Sequence, residues 1–223
     1  MKIFLVIITL LLSVSHSFGQ TLSATQDYRS NKDREHDLST FKGSQYLEDD
    51  FQLSTVQDKL TNKETKLYLR YDVYSDTFER KATQTSSSHT FLEKAYGVEV
   101  SYDSRLFIYT NFLDKNNNSI IGYLEYIGDY NSNSYYIKHE KTLRLPEKAP
   151  NPQVPDKAGK ISNDYYFLIS TNGGKKPLEV TKRNIYGLFS NEDKGVIKKI
   201  LKESRLKFKD PLDLKIFLKK INN

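Results

Sequence analysis

The chain has no cysteine, no tryptophan and a single methionine. Without cysteine there can be no disulfide, no thiolate nucleophile and no Cys-ligated metal, so stability owes nothing to disulfides. Histidine is scarce too. Beyond the N-terminal segment only His36, His89 and His139 occur, with no HExxH and no close pair, so no zinc motif is present. No serine sits in a G-x-S-x-G elbow, and Ser44 after Gly43 reads as a turn. Gly173-Gly174 runs into Lys175-Lys176 without the spacing of a phosphate-binding loop. After the first twenty residues no apolar run is long enough to span a bilayer as a helix.

What is present begins with MKIFLVIITLLLSVSHSFGQ. Lys2 is a short basic region, Ile3 to Val14 is an apolar run, and Ser17 and Gly19 are small residues at −3 and −1 of a cut before Gln20. This is the pattern of a secretory signal peptide over residues 1–19, so the protein is expected to be exported, to the periplasm or outside the cell. Residues 20–40 are polar, with little to bury, and read as a flexible leader.

Sixteen Tyr and twelve Phe point to an aromatic-packed, strand-rich body. In KLYLRYDVYSDTFERK, residues 66–81, Leu67, Leu69, Tyr71 and Val73 share one parity. Tyr68, Arg70, Asp72 and Tyr74 share the other, which predicts a strand with one buried face. The parity breaks at Ser75-Asp76, where a tight turn is expected, making this the central hairpin of a meander. Arg70, Asp72 and Glu79 read as a cross-strand polar set that fixes its register.

Further strands are expected over Leu53–Leu60, over Val98–Leu113 with a turn at Asp103-Ser104, and over Ile120–Gly128, Tyr135–Leu145 and Asp164–Thr171. A short strand over Leu178–Thr181 would pair back after the turn at Asn172-Gly173. Residues 146–160 hold four of the six prolines and read as a surface loop.

From residue 182 the period changes to 3.6. A short helical segment over Arg183–Phe189 is followed by a helix to about Ser204, opened by a Ser190–Asp193 capping pair. Val196, Ile197, Ile200 and Leu201 form its apolar stripe. Asp210-Pro211 then caps a last helix with Leu214, Phe217, Leu218 and Ile221 on one face. The expected fold is α+β: one domain over 41–223, an antiparallel β-meander (partial barrel or sandwich) over 41–181, then two or three C-terminal helices over 182–223.

The phrases GSQYLEDDF, TVQ, LRYDVYSDTFE, GYLEYI and DYYFLIS, with a Lys-rich tail ending in KKINN, are similar to a group of uncharacterised secreted proteins of Bacteroidota. The central phrase of that group usually reads LRYN, followed by an acidic turn and Glu. Here Asp72 stands where Asn is commoner, while Asp76 and Glu79 fit. The resemblance implies secretion or envelope placement and carries no activity.

Three functional readings follow. From Lys175 on, fourteen Lys/Arg stand against six Asp/Glu, so the basic character of a chain at +6 overall belongs to its C-terminal quarter. Lys194, Lys198, Lys199, Lys202 and Arg205 lie on or near the outer face of the penultimate helix and form the candidate binding site. The first reading is a non-catalytic exported protein that binds anionic envelope glycan or lipid headgroups there. Sequence-specific nucleic-acid readout has no motif support. The second reading is a periplasmic carrier of a small or lipidic ligand, held in a sheet cavity lined by tyrosines such as Tyr68, Tyr71, Tyr74, Tyr123, Tyr126, Tyr135, Tyr136, Tyr165 and Tyr166. The third is a hydrolase using paired carboxylates, Glu79 and Glu125 on neighbouring strands. No catalytic residue, metal or cofactor is assigned. Asp114, Asn116, Asn118 and Glu125 match positions 1, 3, 5 and 12 of a calcium loop. However, Ser119 replaces the required Gly and the flanks read as strands, so a polar hairpin turn is the expectation.

Overall fold

The computed structural model describes residues 37–151, 153–171, 174–189, 192 and 194–223. The signal segment, residues 20–36 of the leader, the Asn172-Gly173 turn and the Ser190–Asp193 capping pair lie outside the described residues. The first described element is a 3₁₀ turn at Leu38–Thr40, capped by the Asp37 side chain accepting from the Ser39 N–H.

Ten strands follow: β1 (Gln52–Asp58), β2 (Lys63–Asp72), β3 (Thr77–Lys81), β4 (Thr90–Phe91), β5 (Val98–Tyr102), β6 (Arg105–Leu113), β7 (Ser119–Tyr130), β8 (Asn133–Arg144), β9 (Lys160–Thr171) and β10 (Gly174–Leu178). Among the described residues three α-helices follow the strands: α1 (Ile185–Leu188), α2 (Lys194–Glu203) and α3 (Pro211–Ile221). All strands form one antiparallel sheet in the order β10-β9-β8-β7-β6-β5-β1-β2-β3-β4, which is not closed. The α+β meander with C-terminal helices is the fold expected from the sequence.

The turns show why the strands end where they do. Asp103-Ser104 and Asn131-Ser132 each place two successive residues at positive φ, the backbone of a two-residue hairpin turn. The short last strand is displaced from its expected position: β10 occupies Gly174–Leu178, not Leu178–Thr181. Pro177 is tolerated there because β10 is an edge strand, with a free side on which the missing N–H is not needed.

The 66–81 hairpin is not central in the sheet. β2 and β3 stand eighth and ninth of ten. It is nevertheless deeply packed, because the sheet curls. β3 lies five strand spacings from β7, about 24 Å in a flat sheet, yet the Phe78 and Tyr123 rings are 5.0 Å apart. The hairpin thus folds over the face carrying Phe107 and Tyr123. Leu69, Tyr71, Val73, Phe78, Val100, Tyr102, Phe107 and Tyr123 form the first core inside this half-barrel. The same sheet face continues under the helices, where Ile127, Tyr135, Ile137 and Phe167 meet Ile185, Phe189, Ile197, Leu201, Leu214 and Phe217 in a second core. The opposite wing curls the other way. β10 reaches back over the second face, so that Lys175 Nζ donates to Thr110 Oγ1 on β6 at 3.1 Å.

A strap over residues 42–47 ties the two halves. Lys42 bridges to Lys160 at the start of β9, and Tyr46 bridges to Asp72 at the end of β2. Among the described residues no helix is long and apolar enough to cross a membrane.

Candidate functional site

Along one face of β7 the row reads Tyr123, Glu125, Ile127. Tyr123 belongs to the half-barrel core and Ile127 to the helix core, so Glu125 is at the junction between them. It is 1 % exposed. His139 Nε2, on β8, lies 2.7 Å from Glu125 Oε2, and Lys215 Nζ of α3 approaches Oε1 at 3.5 Å. Burial alone pushes the Glu125 carboxyl up. The hydrogen bond and charge of His139, with Lys215 and Arg105, outweigh it and hold the group below its ordinary 4.5. An ionised carboxylate only accepts, so Nε2 carries the hydrogen. Nδ1 then has no partner among the described residues.

His139 opens into a cleft of about 290 Å³ between the sheet and the start of α3. Leu47, Val73, Ile137, Pro211 and Leu212 supply apolar walls, and Arg105, Lys141, Asn163 and Tyr165 supply polar ones. Glu140 and Asp164 also border it. Alternation puts their side chains on the other sheet face, where both accept from Lys115. Lys141 is half-buried beneath the strap. It donates to the Tyr46 carbonyl and to Asn163 Oδ1, each at 2.7 Å, and has no ion-pair partner among the described residues. Desolvation lowers its pKa from 10.5, against the more distant charges of Asp49, Asp72 and Glu48.

The hairpin tip makes a different kind of site. β7 and β8 pair only from Glu125↔Ile137 onward. In the gap before that point Asp76, at φ 53°, inserts its carboxylate. Asp76 accepts from Lys138 Nζ at 2.6 Å, from the Tyr71 hydroxyl at 2.5 Å and from the Tyr123 N–H at 3.2 Å. Lys138 also donates to the Tyr123 carbonyl. The carboxylate and the ammonium therefore stand in for the strand partner that Tyr123 lacks on this side. A Cβ at Gly122 would collide with the Asp76 carboxylate, so glycine is required there. Burial first, then Asp76, pushes the Tyr71 hydroxyl well above its ordinary 10.0. Its partners are all groups of the protein itself, and the arrangement serves the fold.

The Arg70–Glu79 pair is the register lock expected of it. The two are direct partners across β2 and β3, with Arg70 Nε and Nη2 on Glu79 Oε2 at 3.0 and 2.6 Å. Arg70 also lies 3.7 Å over the Tyr46 ring and donates to the Asp49 carbonyl, pinning the strap to the sheet. Asp72 accepts from Gln45 Nε2 and from the Ser75 N–H, so it caps the hairpin turn.

The carboxylate pair Glu79 and Glu125 does not come together. β3 and β7 are not neighbours in the sheet. Phe78 points into the half-barrel, so Glu79 beside it points out, while Glu125 faces the same interior as Tyr123. Asp114, Asn116 and Asn118 form the expected turn, in which Asp114 accepts from the Asn116 and Asn118 N–H groups, while Glu125 is committed to His139. Of the tyrosines considered for a sheet cavity, Tyr71, Tyr123 and Tyr135 pack fully buried against other rings.

Lys194, Lys198, Lys199 and Lys202 of α2, and Arg205 just beyond it, are exposed. At about 100° per residue the four lysines span an arc of about 140°, opposite the buried Ile197, Ile200 and Leu201. Among the described residues none of the five makes an ion pair. Val196, placed in the apolar stripe by the sequence pattern, is instead 44 % exposed, because the buried arc of α2 ends at Ile200.

Sequence reasoning missed the Glu125–His139 pair. Its signal was parity: Glu125 shares the apolar row of Tyr123 and Ile127, and His139 that of Tyr135 and Ile137. A charged residue on a buried row needs a partner. No protein-family model, curated protein or solved structure matches the chain.

Proposed function

We propose that the chain is an exported, non-catalytic binding protein that docks on anionic lipid headgroups or glycan of the cell envelope through the outer face of α2. The observation that carries this reading is the stripe of four lysines and Arg205, all exposed and none ion-paired among the described residues. The fold does not need these charges, because the opposite face of α2 supplies its packing. Each lysine near an anionic surface contributes about 1 kcal/mol, and the attraction fades beyond a Debye length.

Reversing Lys198, Lys199 and Lys202 to Glu is therefore expected to lower partitioning onto phosphatidylglycerol vesicles by about two orders of magnitude. High salt should do the same to the unaltered protein, while thermal unfolding stays unchanged. Co-sedimentation reads the effect. Partitioning that ignores both the reversals and the salt would overturn the proposal.

A further inference from the structure

We infer that the cleft between the sheet and α3 is a binding site for a small organic anion, a carboxylate carried on an apolar body. The inward-facing groups are sorted in a way that suits such a molecule. Arg105 and Lys141 supply positive groups from β6 and β8, while Leu47, Val73, Ile137 and Leu212 supply apolar surface. The volume, about 290 Å³, falls at the small end of the range for small-molecule sites.

The anionic preference rests on how the charges are already spent. Arg105 is met at its outer end by Glu48 and Asp103, both largely exposed. Glu125, the carboxylate under the floor, is saturated by His139 and Lys215. Asp210 is committed to the N–H of Leu212 as the cap of α3. Of the charged groups lining the cleft, Lys141 is half-buried with two neutral oxygens in contact and the carboxylates of Asp49, Asp72 and Glu48 only farther off. A partly desolvated ammonium with no carboxylate in contact is stabilised by an anion that reaches it. The open mouth of the cleft gives such an anion a route.

This site is independent of the basic face of α2, because none of the five α2 residues lines the cleft. Benzoate and hexanoate, with benzamide and hexanamide as neutral counterparts, are the probes. Titration calorimetry and the NMR shifts of residues lining the cleft are the readouts. The expected result is millimolar or tighter binding of the acids, with the amides about ten-fold or more weaker. Lys141→Met and Arg105→Gln should each weaken the acids by about ten-fold, and the α2 reversals should leave them unchanged. Should Lys141→Met fail to fold, Leu212→Trp at the exposed rim plugs the mouth and is expected to abolish binding with the charges intact. Absence of acid binding to the folded protein overturns the inference. So does equal binding of acid and amide, or binding that survives Leu212→Trp. Binding lost with the α2 reversals alone would also overturn it, by placing the anion on the helix face.

Discussion

Removing the Asp76 carboxylate tests the half-barrel directly. Asp76→Ala takes away the acceptor shared by Lys138 Nζ, the Tyr71 hydroxyl and the Tyr123 N–H. The Lys138 side chain is only 9 % exposed, so its charge stays in place with nothing opposite. Breaking one side of a buried ion pair costs about 3–5 kcal/mol. A buried donor left without an acceptor costs about 1–3 kcal/mol, although the two terms overlap. Asp76 itself is 23 % exposed at its side chain, which admits some water and lowers the sum. The expected loss is about 4 kcal/mol for Asp76→Ala and about 2 kcal/mol for Asp76→Asn, which keeps one acceptor oxygen. Adding Lys138→Met to Asp76→Asn removes the stranded cation and should recover about 1–2 kcal/mol. Urea unfolding is the assay, followed by far-ultraviolet circular dichroism and by tyrosine fluorescence, since the chain has no tryptophan. Hydrogen exchange of the Tyr123 amide provides a local readout. A loss under about 1 kcal/mol for Asp76→Ala, the size of a surface change, would refute the reasoning. A double variant no more stable than the single one would do so as well.

Leu69→Ala, at 0 % exposure in the half-barrel core, is expected to cost about 2–5 kcal/mol in the same urea assay; no loss would mean that the wrong face of β2 has been taken as buried. Glu125 gives a pH signature. Its folded pKa lies below the ordinary 4.5, so its contribution is fully present above 4.5 and is lost as pH falls through the lower folded value. Glu125→Gln should therefore flatten the acid limb of the stability curve below 4.5, and an unchanged limb in an acid titration would count against the buried pair.

The meander was legible because its signals are local. Parity in 66–73 placed Leu69, Tyr71 and Val73 inside, and the Asp103-Ser104 and 129–134 turns carry their own chemistry. The Asp210-Pro211 start of α3 is likewise written in two residues. The place of the 66–81 hairpin in the sheet was not legible. β1 pairs with β2 on one side and with β5 on the other, and the second choice depends on residues some forty positions on. The cleft was illegible for the same reason: Leu47, Arg105, Lys141 and Leu212 are brought together only by the strap and by the packing of α3. The row of alternating residues in β7 contained the warning at Glu125, but not the name of its partner.

The gap between β7 and β8 also sets an order in time. The 66–81 hairpin is made of neighbours and can close as soon as it exists, within about 1–10 μs. Its tip has nowhere to go until β7 and β8 have met at Glu125↔Ile137 and stopped pairing there. Asp76 is separated from Tyr123 and Lys138 by 47 and 62 positions, so this docking closes a far longer loop than the hairpin itself. Long loops close late. The strand pair thus has to leave its slot open until the hairpin docks, and a piece shaped early is seated only after the loop to β7 and β8 has closed.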